Sequence, residues 1–450
     1  MQQTKYFSRE EMQALAQRAL RFSTADEARV NISSGVHGNT RFAQNQISTA
    51  GDVYDATLTF TSAFGKRVAS ATTNRFDDDA LKQVVETSER LARLVPEDPE
   101  YMGELDPQQY GEWNAFFQST AGLTPEARAA AVNAIAGPAA AESLVSTGFI
   151  DLLAGSSAVA NKRGLFAYAA GTAANLTTTV RTADGTGSGW AGTGNPDWSQ
   201  IDAAALGERA ITKAKLSRTP RAVEPGKWTV ILEPTAVANL VQLMAFSLNA
   251  RSADEGRSFF SKAGGGNKIG EKFVDSRVTI WSDPADPRLL TQPFTGEGMP
   301  VQRTVWVENG VLRNLAYNRF WAARQNRQPV PFPGGFYMEG GDATMQQMIE
   351  STERGLLVTR LWYIRSVDPR TILFTGLTRD GTFLIENGRI TTAVKNLRWN
   401  ESPIFMLNNV EAMSAPVRVS GGESGEAGQP IVVPAIKARD FTFTSLSDAV

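Results

Sequence analysis

The chain reads Lys227-Trp-Thr-Val-Ile-Leu232, Glu233 and then Pro234-Thr-Ala-Val-Ala-Asn-Leu-Val-Gln-Leu-Met-Ala-Phe-Ser-Leu-Asn249 where its C-terminal half begins. The first segment is rich in β-branched and aromatic residues and predicts a strand. The second opens with proline, which suits the first position of a helix. Its apolar residues recur at helical spacing: Val237, Leu240, Val241, Met244 and Leu248. A strand joined directly to an apolar-striped helix is therefore predicted here.

Beyond residue 249 the pattern is mostly β. Val305–Leu312 and Phe383–Ile390 both contain Glu-Asn-Gly between apolar residues. Asn-Gly supplies the positive φ angles of a type I′ turn, so both segments predict β-hairpins. Gly421–Gln429 predicts a surface loop before a last strand, Ile431–Phe443.

The N-terminal segment begins with the capping box Ser8-Arg-Glu-Glu11, which predicts a helix. An alternating stretch follows from Ala28 to Ser48, interrupted by a predicted turn at residues 33–39. Val53–Phe64 and Lys66–Thr73 predict a strand pair joined through Gly65. Asp77-Asp-Asp79 then opens a second helix, where its negative charge suits the positive end of the helix dipole.

The central segment starts its helix at Thr124-Pro125, and we expect that helix to end near Gly137-Pro138. Several short strands are predicted from about Ser143 to Trp190, followed by a helix over Asp202–Leu216. Residues 218–226 contain two prolines and a glycine and predict a linker. We therefore expect an α+β fold with segments 1–100, 101–220 and 221–450, in which N-terminal helices pack on antiparallel sheets.

Composition excludes much enzyme chemistry, because the 450 residues contain no cysteine and a single histidine, His37. Cysteine-based zinc sites, histidine-rich zinc sites and disulfide scaffolds are excluded, and a Ser-His-Asp triad would need His37. His37 lies in the predicted turn at residues 33–39, and we interpret it as an exposed loop residue rather than a general base or ligand. The net charge of −2, with no like-charge block, argues against nucleic acid as a partner.

No segment predicts a membrane span, which needs about 20 apolar residues. Met1–Arg21 is polar and predicts an amphipathic helix rather than a secretory signal. Together with the missing cysteines, these features lead us to expect a cytoplasmic protein with no membrane partner.

Three other motifs are explained without a ligand. Gly264-Gly-Gly266 lacks the spacing of a Walker or dinucleotide-binding loop and predicts a mobile loop. The carboxylates of Asp77–Asp79 cap a helix, and Asp283-Pro-Ala-Asp-Pro287 forms a proline turn. Neither has the spaced oxygen ligands of a calcium loop.

Arginines and aromatic residues are dense in Arg354–Arg370, which predicts a strand containing Arg360, Trp362 and Arg365. As a binding surface, this segment would offer guanidinium groups to carboxylates or carbonyls and aromatic rings to apolar groups. Alternatively, the apolar residues fill the core and the arginines form structural ion pairs. The sequence leaves both interpretations open.

The ordered motifs of the C-terminal half resemble a known family. They include the strand and helix at residues 227–249, Arg257-Ser-Phe-Phe, Ile269-Gly-Glu-Lys, Phe294-Thr-Gly-Glu-Gly-Met-Pro, Gly340-Gly341, Arg354-Gly-Leu-Leu-Val-Thr-Arg, the two Glu-Asn-Gly hairpins and Val394-Lys-Asn-Leu-Arg. This order is similar to that of the TldD/PmbA family, first described as modulators of DNA gyrase and later as metallopeptidases. The resemblance covers essentially the whole chain and implies a barrel-like, β-rich C-terminal domain.

The resemblance implies a two-subunit peptidase in which the TldD-type subunit binds zinc through His-Glu-x-x-x-His and a later cysteine. In this chain the corresponding helix, Pro234–Asn249, has neither histidine nor glutamate. Gln242 and Ser247 stand roughly where the two histidines would be. The chain therefore resembles the TldE/PmbA-type subunit, and we expect no cofactor in it and zinc in its partner.

We accordingly expect a non-catalytic subunit that helps a TldD-like, zinc-bearing partner enclose unfolded peptides, which bind as extended segments by strand addition. The alternatives are a stand-alone homodimeric peptide-binding or regulatory protein and, less favoured, a hydrolase that uses carboxylates and a hard cation. Composition and context predict seven peptide-contacting residues: Tyr317, Arg319, Trp321, Arg360, Trp362, Arg365 and Arg379.

Overall fold

The computed structural model describes residues 6–332, 334–420 and 430–447. Its helices are α1 (Arg9–Arg21), α2 (Asp78–Leu94), α3 (Gln118–Ala121), α4 (Pro125–Ala141), α5 (Ala203–Leu216), α6 (Pro234–Ala245), α7 (Ala250–Asp254), α8 (Arg319–Arg324), α9 (Met345–Glu350) and α10 (Pro403–Asn408). The strands of the N-terminal half are β1 (Glu27–Ala43), β2 (Gln46–Phe64), β3 (Arg67–Thr73), β4 (Leu144–Asn161), β5 (Phe166–Thr182) and β6 (Ser188–Asn195). Those of the C-terminal half are β7 (Gly226–Leu232), β8 (Ile280–Ser282), β9 (Thr304–Glu308), β10 (Val311–Leu312), β11 (Phe336–Met338), β12 (Arg354–Asp368), β13 (Leu373–Glu386), β14 (Arg389–Ala393), β15 (Leu397–Glu401), β16 (Val410–Met413), β17 (Val417–Ser420), β18 (Pro430–Val433) and β19 (Ile436–Leu446).

The N-terminal half is built on one antiparallel sheet with the strand order β3-β2-β1-β4-β5-β6. The prediction of several short strands after residue 143 is wrong, because β4 and β5 are continuous over 18 and 17 residues. Their glycines do not form turns. A methyl group at Gly155 would lie 2.6 Å from the carbonyl oxygen of Ser34, so this glycine permits close approach of β1 and β4.

β1 also runs without interruption through the predicted turn at residues 33–39, which is therefore wrong. His37 pairs with Val53 of β2 and Leu153 of β4. The chain reverses instead at Gln44 and Asn45, whose φ angles are 51° and 62°. His37 is exposed, as expected, but it lies on a strand.

Four helices cover one face of this sheet. Ser8 completes its capping box with Glu11, and Asp77 caps α2, as predicted. The predicted end of α4 near Gly137 is wrong, since the helix continues to Ala141 with Pro138 inside it. A proline in the last turn removes a single backbone hydrogen bond, and this helix tolerates that loss because it is packed against the sheet.

Five strands of the C-terminal half close into a barrel in the order β12-β7-β19-β15-β13, with β13 pairing back to β12. A second sheet has the order β10-β9-β8-β11-β18-β17. α6 lies among these strands, and nine of its twelve residues are buried. Its apolar character on nearly all sides is typical of a core helix.

Both predicted hairpins are confirmed. Asn309 and Gly310 join β9 to β10, and Asn387 and Gly388 join β13 to β14, all with positive φ. The predicted last strand, Ile431–Phe443, is wrong because the segment divides into β18 and β19, which belong to different sheets. The division falls at Pro434-Ala435, and proline cannot donate to a ladder. The predicted loop Gly421–Gln429 lies outside the described residues.

Mixed helices and sheets with a closed barrel in the C-terminal region confirm the α+β prediction. The division at residues 100 and 220 stays a prediction. The first sheet takes strands from both sides of residue 100. Across the three described ranges, none of the helices is long and apolar enough to cross a membrane.

Two glycines with the same φ provide a matched test of the first hairpin. Gly310 has a φ of 78°, and a methyl group there would lie 2.3 Å from the carbonyl oxygen of Val274. Gly266 has a φ of 79° and open space around it. We expect Gly266→Ala to lower the free energy of unfolding by about 1 kcal/mol through left-handed strain alone. In Gly310→Ala the new methyl group also clashes with the carbonyl oxygen of Val274, so the two backbone segments must move apart. We expect this variant to lower the free energy of unfolding by roughly 2 kcal/mol more than Gly266→Ala does, as measured by urea titration. Equal costs would contradict this packing.

A buried carboxyl at the end of β15 predicts a pH dependence of stability. Burial raises the pKa of Glu401 to about 7, although its oxygens accept hydrogen bonds from the backbone N–H groups of Ser402 (2.8 Å) and Thr442 (3.0 Å). Because the folded-state pKa lies above the ordinary value, the stabilisation from the bound proton is complete below about pH 4.5 and is lost as the pH rises through about 7. Between pH 5 and pH 8 we expect the free energy of unfolding of the natural chain to fall by roughly 2–3 kcal/mol relative to Glu401→Gln. Parallel pH profiles of the two proteins in urea titrations would contradict the assignment.

Candidate functional site

A row of cavities lies along the face of the first sheet that the helices leave uncovered. On β1 the even-numbered residues pack under the helices, and the odd-numbered residues line the cavities. Arg29 and Asn31 line a cavity of about 740 Å³, which we call the helix-end cavity. Ser33 and His37 line a central cavity of about 340 Å³. Arg41 lines a third cavity of about 660 Å³, the arginine cavity.

The helix-end cavity contains the first three predicted peptide-contacting residues, Tyr317, Arg319 and Trp321. The Tyr317 hydroxyl accepts a hydrogen bond from Asn267 at 3.0 Å, and the Trp321 indole donates to Asp254 at 2.7 Å. Burial, with the nearby charge of Asp254, raises the pKa of Tyr317. Tyr317 is therefore a neutral wall residue at physiological pH rather than a base.

Arg319 joins the two halves of the chain at this cavity. Its guanidinium donates to the carbonyl oxygens of Gly103 at 2.8 Å and Met102 at 3.3 Å, and it pairs with Glu297 at 3.1 Å. Asn31 of β1 donates to the carbonyl of Gly296 at 2.9 Å. These polar contacts hold the wall of the cavity across the interface between sheet and C-terminal half.

The C-terminal end of α6 borders the same cavity. Phe246, its C-cap residue, stacks on Phe332 with ring centroids 6.1 Å apart, and Phe332 lines the cavity. Gln242 is half-buried in the last turn, and Ser247 lies beyond the end of the helix. The two residues that the resemblance predicts to stand roughly at the family's histidine positions thus lie at this end of α6.

The residues present do not fit a zinc site of the family type. Such a site needs two histidines and a cysteine, whereas α6 offers Gln242 and the chain's single histidine is on β1. Among the described residues, no group of three or more histidine, aspartate or glutamate side chains is placed to hold a metal ion.

The arginine cavity contains three more of the predicted residues, Arg360, Trp362 and Arg379, which come from β12 and β13 of the barrel. The first sheet contributes further residues: Arg41, Thr147, Gly148, Phe149, Thr177, Thr179, Arg181 and Trp190. Arg360 lies between two indoles, with its guanidinium carbon 4.6 Å from the ring centroid of Trp190 and 4.7 Å from that of Trp362. The guanidinium carbon of Arg379 lies 4.9 Å from the ring centroid of Trp362.

Asp380 is the carboxylate of this cavity. It pairs with Arg360 at 3.3 Å and accepts a hydrogen bond from the Ser188 hydroxyl at 2.7 Å. The side chains of Arg360 and Asp380 are only 6% and 2% exposed. Sandwiched and paired in this way, the Arg360 guanidinium is held in one position.

Two β-bulges shape the barrel wall here. The pairing of β12 and β13 shifts between Val358 and Arg360, opposite Asp380, and again between Trp362 and Arg365. Asp380 and Tyr363 have φ angles of 54° and 53°, which non-glycine residues rarely adopt. Bulges redirect side chains at functional sites, and these two flank Trp362.

The seventh predicted residue, Arg365, lies in neither cavity. It is exposed, stacks over Tyr363 at 4.2 Å and donates to the carbonyl of Ile364 at 2.7 Å. The structure thus places three predicted residues at one end of the sheet face, three at the other and one elsewhere. Whether any of them contacts peptide stays a prediction.

Sequence reasoning missed several residues of the arginine cavity, including Arg41, Arg181, Trp190 and Asp380. Arg41 and Arg181 lie at odd positions of strands whose register the sequence did not reveal. Asp380 follows Arg379 directly, but its partnership with Arg360 depends on the bulge. The one signal in the sequence that could have indicated Arg41 or Arg181 is a charged residue within a segment predicted to form a strand.

Three sequence models of one family match the chain. They are the PmbA/TldA metallopeptidase domain 1 over residues 28–92, the central domain over residues 120–218 and the C-terminal domain over residues 225–445. The chain belongs to the PmbA/TldD family. The family resemblance predicted from the ordered C-terminal motifs is confirmed.

Relatives and solved structures place the chain within this PmbA/TldD fold. A metalloprotease of Methanothermobacter thermautotrophicus is 26% identical over 245 residues, 50% of this chain and 50% of the relative. The chain spans about half the length of the curated relatives it matches. TldE from Thermococcus kodakarensis is 18% identical with a TM-score of 0.82, covering 96% of this chain and 99% of that one. A proposed modulator of a DNA gyrase from Thermotoga maritima is 16% identical with a TM-score of 0.85, covering 96% and 100%.

The bidentate contacts of Arg319 predict a specific effect of its conservative replacement. Arg319→Lys loses the planar fork that reaches both Gly103 and Met102, so the segment around residue 103 should open more easily. We expect its backbone amides to exchange hydrogen faster, corresponding to roughly 1–2 kcal/mol less protection. Arg324→Lys, an exposed change on the same helix, is the control and should leave that exchange unchanged. Similar exchange in both variants would contradict the anchoring role.

Proposed function

We propose that this chain is the metal-free subunit of a TldD/TldE-type metallopeptidase and works beside a zinc-bearing, TldD-like partner on extended, unfolded peptides. The observation that carries the proposal is the composition of α6 and its position. The helix that would hold the metal in a TldD-type subunit ends at a cavity, but this segment has Gln242 in its last turn and Ser247 just beyond its end in place of ligands.

The energetics of α6 support this assignment. Its apolar residues are buried on nearly all sides, and its two buried polar residues, Thr235 and Asn239, are uncharged, so the helix does not need the charged partners that a buried His-Glu pair would need. The chain has kept the packing role of the helix and has no residue in it that could activate water.

The open face of the first sheet supports extended peptides as the substrate class. The cavities follow one another along a single face of β1, a strand of 17 residues, and are lined by both apolar and hydrogen-bonding groups. A groove that follows a strand matches a ligand in extended conformation better than it matches a compact one.

Similar proteins add support of a different kind. The relative from Methanothermobacter thermautotrophicus is named a metalloprotease, and the structure with a TM-score of 0.82 is that of a TldE. Because the chain spans half of the curated relative, proteolysis itself is a proposal for this chain and not a transferred activity.

The test is reconstitution with a partner. We expect this chain, purified alone, to bind no stoichiometric zinc and to cleave no unfolded peptide. Co-expressed with a homologue from its host that carries His-Glu-x-x-x-His, it should co-elute with that homologue in size-exclusion chromatography. The complex should contain zinc in the partner only, and a chelator should abolish its cleavage of an unfolded peptide.

Matched variants separate the two subunits in this experiment. Glutamine in place of the motif glutamate of the partner should abolish cleavage, whereas Gln242→Ala and Ser247→Ala in this chain should leave zinc content and cleavage unchanged. Stoichiometric zinc and peptidase activity in the isolated chain would contradict the proposal. A chain that stays homodimeric, binds peptides and never associates with such a homologue would favour the stand-alone alternative.

A further inference from the structure

The arginine cavity has an unusual charge balance. Among the described residues that line it, four guanidinium groups face one carboxylate, Asp380. Asp380 already pairs with Arg360 at 3.3 Å and with Arg379 at 3.9 Å, and it accepts a hydrogen bond from the hydroxyl of Ser188. Bringing several cations together in a partly desolvated cavity is unfavourable unless an anion joins them.

Two of these arginines are available to an anion. In the described part of the chain, the side chains of Arg41 and Arg181 form no ion pair or hydrogen bond with another residue. Arg41 is exposed on β1 and Arg181 is half-buried on β5. Structural arginines are normally paired, as Arg360 is, so these two are available to a ligand.

The remaining walls are suited to an apolar group beside the charge. Trp190, Trp362 and Phe149 contribute aromatic surface, and Thr177 and Thr179 contribute hydroxyls. The volume, about 660 Å³, is that of a small-molecule or peptide-end site. A ligand with one anionic group attached to an apolar residue matches the positive charge, the aromatic surface and the volume of this cavity.

We propose that the arginine cavity binds the C-terminal carboxylate of an extended peptide, with the last side chain packed against Trp190, Trp362 and Phe149. The peptide class rests on the function proposed above, but the carboxylate follows from the cavity. Arg41 and Arg181 contact the carboxylate, and Arg360, fixed by Asp380 and the two indoles, completes the positive wall.

The test measures peptide binding to the isolated 450-residue chain, without a partner and without cleavage. The probe is a ten-residue peptide without charged side chains, with an uncharged fluorophore at its N-terminus and leucine at its C-terminus, and binding is followed by fluorescence anisotropy. Amidation of the terminal carboxylate should weaken binding about tenfold or more, since it removes charge-assisted hydrogen bonds. Arg181→Gln and Arg41→Gln should each weaken binding of the free-carboxylate peptide about tenfold and leave that of the amidated peptide unchanged.

Arg209→Gln, an exposed change on α5 at the helical side of the sheet, is the matched control and should not alter binding. Unchanged thermal unfolding of the Arg41 and Arg181 variants shows that they fold. A third peptide, amidated and with glutamate next to leucine, tests the other source of a carboxylate. If it binds as tightly as the free-carboxylate peptide, the ligand is a side chain and the assignment to the C-terminus is wrong.

Failure of this proposal and failure of the proposed function are distinguishable. If amidation leaves the affinity unchanged while the chain supports cleavage by a zinc-bearing partner, the cavity assignment is overturned and the function stands. If the free carboxylate is required but no partner confers peptidase activity, the cavity assignment stands and the peptidase function fails.

Discussion

Burial of α6 is the constraint on which the C-terminal half depends. Val237, Leu240, Val241 and Met244 are completely buried, and each contributes roughly 2 kcal/mol by leaving water. The barrel strands and the second sheet pack around this helix, and its buried residues are apolar apart from Thr235 and Asn239. A histidine or glutamate in it would be stable only where it met a metal or a hydrogen-bonding partner. This chain meets the same requirement without a metal motif, because α6 contains only apolar and uncharged polar residues.

The N-terminal half meets a different requirement, since its sheet has one face under helices and the other toward the C-terminal half. Even-numbered residues of β1 fill the core beneath the helices, and odd-numbered residues remain available to line cavities. Because successive side chains of a strand point to opposite faces, the residues of β1 that pack in the core are different from those that line the cavities. The polar residues Arg29, Asn31 and Arg41 can differ without disturbing the helical layer, which makes this face suited to ligand contacts.

The sequence predicted correctly those elements that depend only on neighbouring residues. Asn309-Gly310 and Asn387-Gly388 predicted their hairpins because the turn itself requires positive φ. Gly35 and Gly155 misled the prediction of strand lengths, because here glycine serves close approach between strands that are far apart in sequence. The residues of the arginine cavity were only partly predicted, again because contacts between strands that are distant in sequence bring them together. Arg360, Trp362 and Arg379 stand out in the sequence, whereas Asp380 joins them through a bulge, and Arg41 and Arg181 join them through the register of β1, β4 and β5.

The distance between the two outer cavities sets a length requirement on any ligand that uses both. Arg29 and Arg41 lie at the two ends of the row of cavities, twelve residues apart on β1. At about 3.3 Å per residue, this separation is roughly 40 Å. An extended peptide held at the arginine cavity therefore reaches the end of α6 only if it has about a dozen residues, and a folded domain cannot follow the same face. In the assembly proposed above, this face would contribute to selecting substrates, because the strand sets the length and the extension of the ligand that lies along it.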